Sequence, residues 1–147
     1  VSGQMKMMRP NQFRWEIQIP FSQLTVADGQ FIYVYDPQLN QITKQKIKKG
    51  KNVTPAMILS ESANGILNDF YTSKHADWYV LQPKIGDMIQ HVALKFSGRN
   101  LTDMQILDGL GQTTVIHFSN LKLNSSIHKD LFVIHAPPNV DTVQINE

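Results

Sequence analysis

A proline followed at once by a two-residue period sets the strongest limit on how this chain can fold. The stretch is Arg9-Pro10-Asn11-Gln12-Phe13-Arg14-Trp15-Glu16-Ile17. Proline fixes its own φ and has no N–H to donate, so a strand that reaches Pro10 must end, pause at a sheet edge or bulge there. Arg9 is therefore held at a corner. Beyond the break, Phe13, Trp15, Ile17 and Ile19 share one parity while Gln12, Arg14, Glu16 and Gln18 share the other, the repeat of a strand with one dry face. Two large aromatics lie side by side on that face.

The rest of the chain reads as strands joined by tight turns. Leu24 and Val26 alternate with polar neighbours, Asp28-Gly29 is a hairpin signal, and Phe31 to Tyr35 follows as an apolar and aromatic run. These two strands should pair antiparallel. Asp36-Pro37 to Asn40 makes the next turn, and Gln41 to Lys48 leaves it as a strand with Lys44, Lys46 and Lys48 on a side that faces water. Thr54 then caps a helix with Pro55 in its first position and Ala56-Met57-Ile58-Leu59 behind it. Asn64 to Phe70 carries only a weak helical signal, because Gly65 and the Asn and Asp residues favour a loop.

Further strands are expected over Asp77 to Gln82, Met88 to Ser97 with Val92, Leu94 and Phe96 on one face, Leu101 to Leu107, and a longer one over Gln112 to Leu123. A last apolar segment, Leu131 to Ile134, precedes Pro137-Pro138, where regular structure should stop. The sum is about eight or nine antiparallel strands with one or two helices, and a sheet of that size tends to curl. Its concave side must be filled by its own side chains, a helix or a ligand.

With 147 residues the chain fits one domain. It has no cysteine, so a disulfide framework, a thiolate metal site and a cysteine nucleophile are excluded. A formal charge of +2 falls short of the basic excess that carries nucleic-acid binding. No apolar run approaches the roughly 20 residues of a helical membrane span. His75, His91, His117, His128 and His135 lack metal-ligand spacing, and neither a Gly-x-Ser-x-Gly elbow nor a phosphate-cradling glycine loop is present. No catalytic residue, metal or cofactor is assigned, and an enzyme such as an esterase is the least favoured reading.

The order of the pieces carries a family resemblance. Gly3 to Met8 with Arg9-Pro10-Asn11-Gln12-Phe13-Arg14-Trp15, Val26-Ala27-Asp28-Gly29-Gln30 leading to Tyr33-Val34-Tyr35-Asp36-Pro37, Asn52-Val53-Thr54-Pro55-Ala56, Gly111 to Thr114 with Phe118-Ser119-Asn120, and Phe132 ahead of Ala136-Pro137-Pro138 together resemble the LolA family. The resemblance spans essentially the whole chain and implies a mainly β fold with a few helices. The expected form is an unclosed antiparallel β-barrel with a helical lid over an apolar cavity. It also implies a helix and a first strand ahead of the Arg-Pro corner. Val1 opens instead on a segment that already reads like the middle of a strand, so that part is expected to be missing.

What the resemblance implies for function is a periplasmic chaperone that takes up the acyl chains of lipoproteins. Its partners would be acylated lipoproteins, an inner-membrane releasing transporter of the LolCDE type and an outer-membrane receptor of the LolB type, with the carrier itself monomeric. Arg9 would hold the lid closed. Phe13, Trp15, Ile17, Val26, Val34, Met57, Leu59, Leu94 and Phe96 are the expected lining of the cavity, where core packing and ligand contact are hard to separate. Six methionines, at 5, 7, 8, 57, 88 and 104, would suit a pliable lining or simply fill gaps in a core. A LolB-type receptor and a lipid-sensing module of a larger envelope protein are the alternatives. Lys44, Lys46, Lys48, Lys49 and Lys51 form the basic cluster, either a solvated strand protected from aggregation or a docking patch for anionic groups.

Overall fold

The computed structural model describes residues 1–48, 54–86 and 88–145. They form eleven strands, two short α-helices and a 3-10 turn, mainly β as expected, and they divide into two compact units with one sheet each. Neither sheet closes on itself among the described residues.

The first unit comprises Val1–Asn52, Ala56–Ser62 and Ile127–Glu147. Strands β1 (Ser2–Met8), β2 (Gln12–Ile19), β3 (Gln23–Asp28), β4 (Phe31–Asp36) and β5 (Gln41–Lys46) run as an antiparallel meander. A later strand at Asp141–Ile145 adds parallel to β5. The strand break falls at Pro10, as the sequence requires. Two hairpin turns of this sheet use one device: Asp28 Oδ1 accepts the N–H groups of Gln30 and Phe31, each at 2.9 Å, and Asp36 Oδ1 accepts that of Gln38 at 3.0 Å. Such local bonds satisfy the backbone where the ladder stops.

Register decides the faces. Met7 opposes Phe13, Phe13 opposes Ala27 and Ala27 opposes Ile32, while Met5, Trp15, Thr25 and Val34 form the next row. Helix α1 (Pro55–Ser60) covers this face: Ala56 and Met57 join Phe13 and Ala27 in one buried cluster. The opposite face is not uniformly wet. Val26 and Phe132 are buried with 0% and 1% exposure, and the 3-10 turn Lys129–Phe132 packs against β2 and β3. Strand β3 is thus dry on both sides at Val26 and Ala27, which single-face alternation in β2 did not foresee.

The second unit comprises Val53–Pro55 and Ala63–Ser126. Helix α2 (Ala63–Asp69) leads directly into β6 (Phe70–His75), followed by β7 (Trp78–Pro83), β8 (Ile89–Ser97), β9 (Asn100–Asp108) and β10 (Thr113–His117). Their sheet order is β10-β9-β8-β7-β6, all antiparallel. Leu81, Val92 and Ile106 share a buried row, and Val92 and Met104 are fully buried. The other face carries a cross-strand row of Trp78, Lys95, Asp103 and His117.

Four expectations need correction. The strand expected over Gln112 to Leu123 ends at His117. The apolar run Leu131 to Ile134 begins inside a 3-10 turn, because His128 O and Asp130 O accept the N–H groups of Leu131 and Val133 locally, and Phe132 alone is turned inward. Strand β6 and the Asp141–Ile145 strand, here β11, were not expected: Phe70–His75 is exposed beyond its first residue, and β11 lies beyond the paired prolines that should have ended regular structure. The lysine side of β5 also carries Ile42, 1% exposed, and Lys44 lies over the Phe31 ring at 4.2 Å, so that side does not simply face water.

Candidate functional site

The site is built where the β1–β2 turn meets the end of α1. The last carbonyls of an α-helix have no partner within the helix. Here the turn supplies two donors: Arg9 Nε donates to Leu59 O at 3.2 Å, and the Asn11 N–H donates to Ser60 O at 2.8 Å. Asn11 reaches that carbonyl from a left-handed backbone, φ 60°, which asparagine tolerates better than most residues. A cation beside a helix C-terminus is also electrostatically favourable. Ser60, fully buried, spends its hydroxyl on Met57 O at 3.3 Å.

Beneath these polar bonds the contact is apolar. Ala56 and Met57 press on Phe13 and Ala27, and Met5, Met7, Trp15, Ile32 and Ile47 pack around them half-buried. Small alanines on both helix and strand let the two backbones approach, and Phe13 fills the centre at 0% exposure. Methionine side chains are unbranched and polarizable, so a rim of Met5, Met7 and Met57 can repack around altered contents more readily than branched residues could.

The nine expected lining residues do not all share one surface. Phe13 and Met57 lie in the cluster, Trp15 packs on it, and Val34 stands in the Trp15 row, half-buried. Ile17 continues the same parity to the strand end, where it borders a depression of about 230 Å³ with Arg14, Glu16, Leu24 and Tyr35. Leu59 is buried at 7% exposure and contributes the carbonyl that Arg9 binds. Val26 is on the opposite face, because its cross-strand neighbour is Arg14 rather than Phe13. Leu94 and Phe96 belong to the five-stranded sheet, where Leu94 is half-buried and Phe96 meets Tyr79 edge-on at 5.8 Å.

On that opposite face, Arg14 pairs with Glu16 at 2.6 Å and reaches Leu131 O at 3.4 Å, holding the 3-10 turn in place. Sequence reasoning missed Asn11, Ser60 and Ala27, whose parts are played by backbone atoms or by smallness. Met5 and Met7, named from the sequence among the methionines that would suit a pliable lining, keep the parity of Phe13 across the corner and pack on the cluster. Lys49, Lys51, Asn52 and Val53 lie outside the described residues.

The family model described as "Outer membrane lipoprotein carrier protein LolA" matches residues 1–135. An outer-membrane lipoprotein carrier protein of Pseudomonas paraeruginosa is 36% identical over 97% of this chain and 71% of its own length. Relatives of the same name from Dechloromonas aromatica and Coxiella burnetii are 38% and 31% identical, again over 97% of this chain, and over 71% and 70% of their own lengths. The Arg9 corner, the short capped helix and the meander beneath it thus lie within a match that runs through nearly the whole chain, which belongs to the LolA family.

Proposed function

We propose that this chain is a periplasmic lipoprotein carrier: it holds the acyl chains of lipoproteins against the apolar face under α1. It receives them from an inner-membrane transporter of the LolCDE type and passes them to an outer-membrane receptor of the LolB type. The observation that carries the reading is the junction just described, a methionine-rimmed apolar surface covered by a six-residue helix whose end is tied by Arg9 and Asn11. That the described residues include no helix long and apolar enough to cross a membrane is compatible with it.

The energetics suit a carrier. Burying acyl chains from water gains about 0.8 kcal/mol per CH₂, so several long chains would exceed the practical affinity ceiling of about 20 kcal/mol. Water is the wrong reference. The chains leave one bilayer and enter another, so the carrier needs only to match a lipid environment approximately, and small differences set the direction of transfer. A cover held by a few polar bonds meets that need, because cargo can exchange helix contacts for acyl contacts at little net cost.

Native mass spectrometry of the full-length protein, purified from periplasm in which a triacylated lipoprotein is co-expressed, tests the reading. A one-to-one complex that disappears when the lipoprotein lacks its acyl chains supports it. Equal recovery of acylated and unacylated forms overturns it.

A further inference from the structure

Half of the six methionines lie on β1, and the register separates them by face. Met7 stands opposite Phe13 and Met5 opposite Trp15, so both belong to the side that α1 covers, whereas Met8 stands opposite Gln12 on the other side. Met5 and Met7 pack on the buried cluster yet are only half-buried themselves, which leaves them within reach of a small solute. We propose that Met5 and Met7 form a site of reversible oxidation, at which hydrogen peroxide converts them to the sulfoxide and the apolar face loses its hold on acyl chains. The proposal rests on the carrier reading.

Chemistry and burial single these two residues out. The chain has no cysteine, whose thiolate would react first, so its thioethers are the principal two-electron targets. Met104 and Met57 are shielded at 0% and 8% exposure, and Met88, 53% exposed, belongs to the second unit and lies outside the cluster. In the reaction the O–O bond of hydrogen peroxide breaks as an S–O bond forms: sulfur gives up two electrons and keeps one oxygen, and the other leaves as water. The sulfoxide oxygen is a strong acceptor that the thioether lacked. Phe13, Ala27, Ala56 and Ile32, which form the cluster or pack on it, have no side-chain donor to offer, so an oxygen turned toward them is left unsatisfied. It must then turn to water and take its side chain off the face, or loosen the packing there. Either outcome makes the face less apolar. A sulfoxide reductase restores the thioether with two electrons and two protons, and the oxygen leaves as water.

Unloaded full-length protein is treated with hydrogen peroxide, freed of it with catalase, and then offered a tripalmitoylated lipopeptide, with circular dichroism confirming that it stays folded. Peptide mass spectrometry should find sulfoxide at Met5, Met7 and the exposed Met88, with Met57 and Met104 spared. Lipopeptide affinity should fall roughly tenfold, and treatment with a methionine sulfoxide reductase should restore it. The double variant Met5→Leu/Met7→Leu, scored against its own untreated level, should no longer respond to peroxide, whereas Met88→Leu should respond like the parent. The inference is overturned if Met5 and Met7 stay reduced while Met88 is oxidised, if both are oxidised and affinity is unchanged, or if the double leucine variant loses as much affinity as the parent. An untreated parent that binds no lipopeptide is a different failure: it overturns the carrier reading, and this inference with it.

Discussion

Arg9 and Leu59 lie 50 residues apart in the chain, yet the Arg9 Nε–H reaches the Leu59 carbonyl at 3.2 Å. With the Asn11 N–H on Ser60 O, this joins a strand corner to a helix end by two bonds, beside the apolar packing of Ala56 and Met57 on Phe13 and Ala27. The two bonds therefore act on where the end of α1 sits more than on whether the sheet forms.

Arg9→Leu should loosen the end of α1 without unfolding the first unit. A hydrogen bond to a charged group contributes roughly 1.5–3 kcal/mol when well shielded, and the exposure of the Arg9 side chain reduces that to about 1. Amide exchange over residues 56–60 should quicken roughly fivefold while that of β2 and β3 stays the same. In the full-length protein the variant should also release acylated cargo differently from the parent; identical loading and release would separate Arg9 from the carrier cycle.

Phe13→Ala should cost about 3–5 kcal/mol, because the ring is wholly buried and the alanines at 27 and 56 beside it are too short to fill the space it leaves. Ile19→Ala is the matched control. Ile19 has the same parity on the same strand but is 62% exposed, so its removal should change stability by about 0.5 kcal/mol or less. Urea unfolding of the two variants checks both figures.

Aspartate-capped turns should be worth their bonds. Asp108 Oδ1 accepts the N–H groups of both Leu110 and Gln112 at 2.9 Å in the β9–β10 turn, as Asp28 does before β4. Asp108→Ala should lower stability by about 1–2 kcal/mol, and Asp108→Asn, which keeps an acceptor, by less than half as much. Thermal unfolding of the pair distinguishes a capping role from a mere change of charge.

Asp103 should make the second unit sensitive to acid. The Thr102 hydroxyl, then the His117 ring, hold its carboxyl below the ordinary value of 3.8, with Coulombic help from His117 and Lys95. A carboxylate with a depressed folded-state pKa contributes stability above its unfolded value and loses that contribution as pH falls through the folded value. The effect belongs below about pH 4. Carboxyl chemical shifts should place the Asp103 midpoint under 3.8, and Asp103→Asn should flatten the acid limb of the stability curve.

Much of the fold was legible in short-range chemistry. The break at Pro10, the turn at Asp28-Gly29 and the start of α1 at Pro55 all follow from what those residues can and cannot do with their own backbone, and the structure places each where it was expected. Strands with weak patterns were harder. Phe70–His75 is held by pairing with β7 and Asp141–Ile145 by parallel pairing with β5, so their conformation comes from a partner far along the chain rather than from their own alternation.

The site divides in the same way. By itself the sequence determined that Phe13 and Trp15 share a dry face, that Arg9 stands at a corner, and that Met57 sits on a short helix, because parity, proline geometry and capping act within a few residues. Only the tertiary structure decided that Arg9 binds the Leu59 carbonyl, that the helix lies over Phe13 and Ala27, and that Val26 faces the other way onto the side covered by the Lys129–Phe132 turn. Those outcomes depend on register and docking between distant segments, where a slip of one residue exchanges the two faces of a strand and no local preference records which register is chosen.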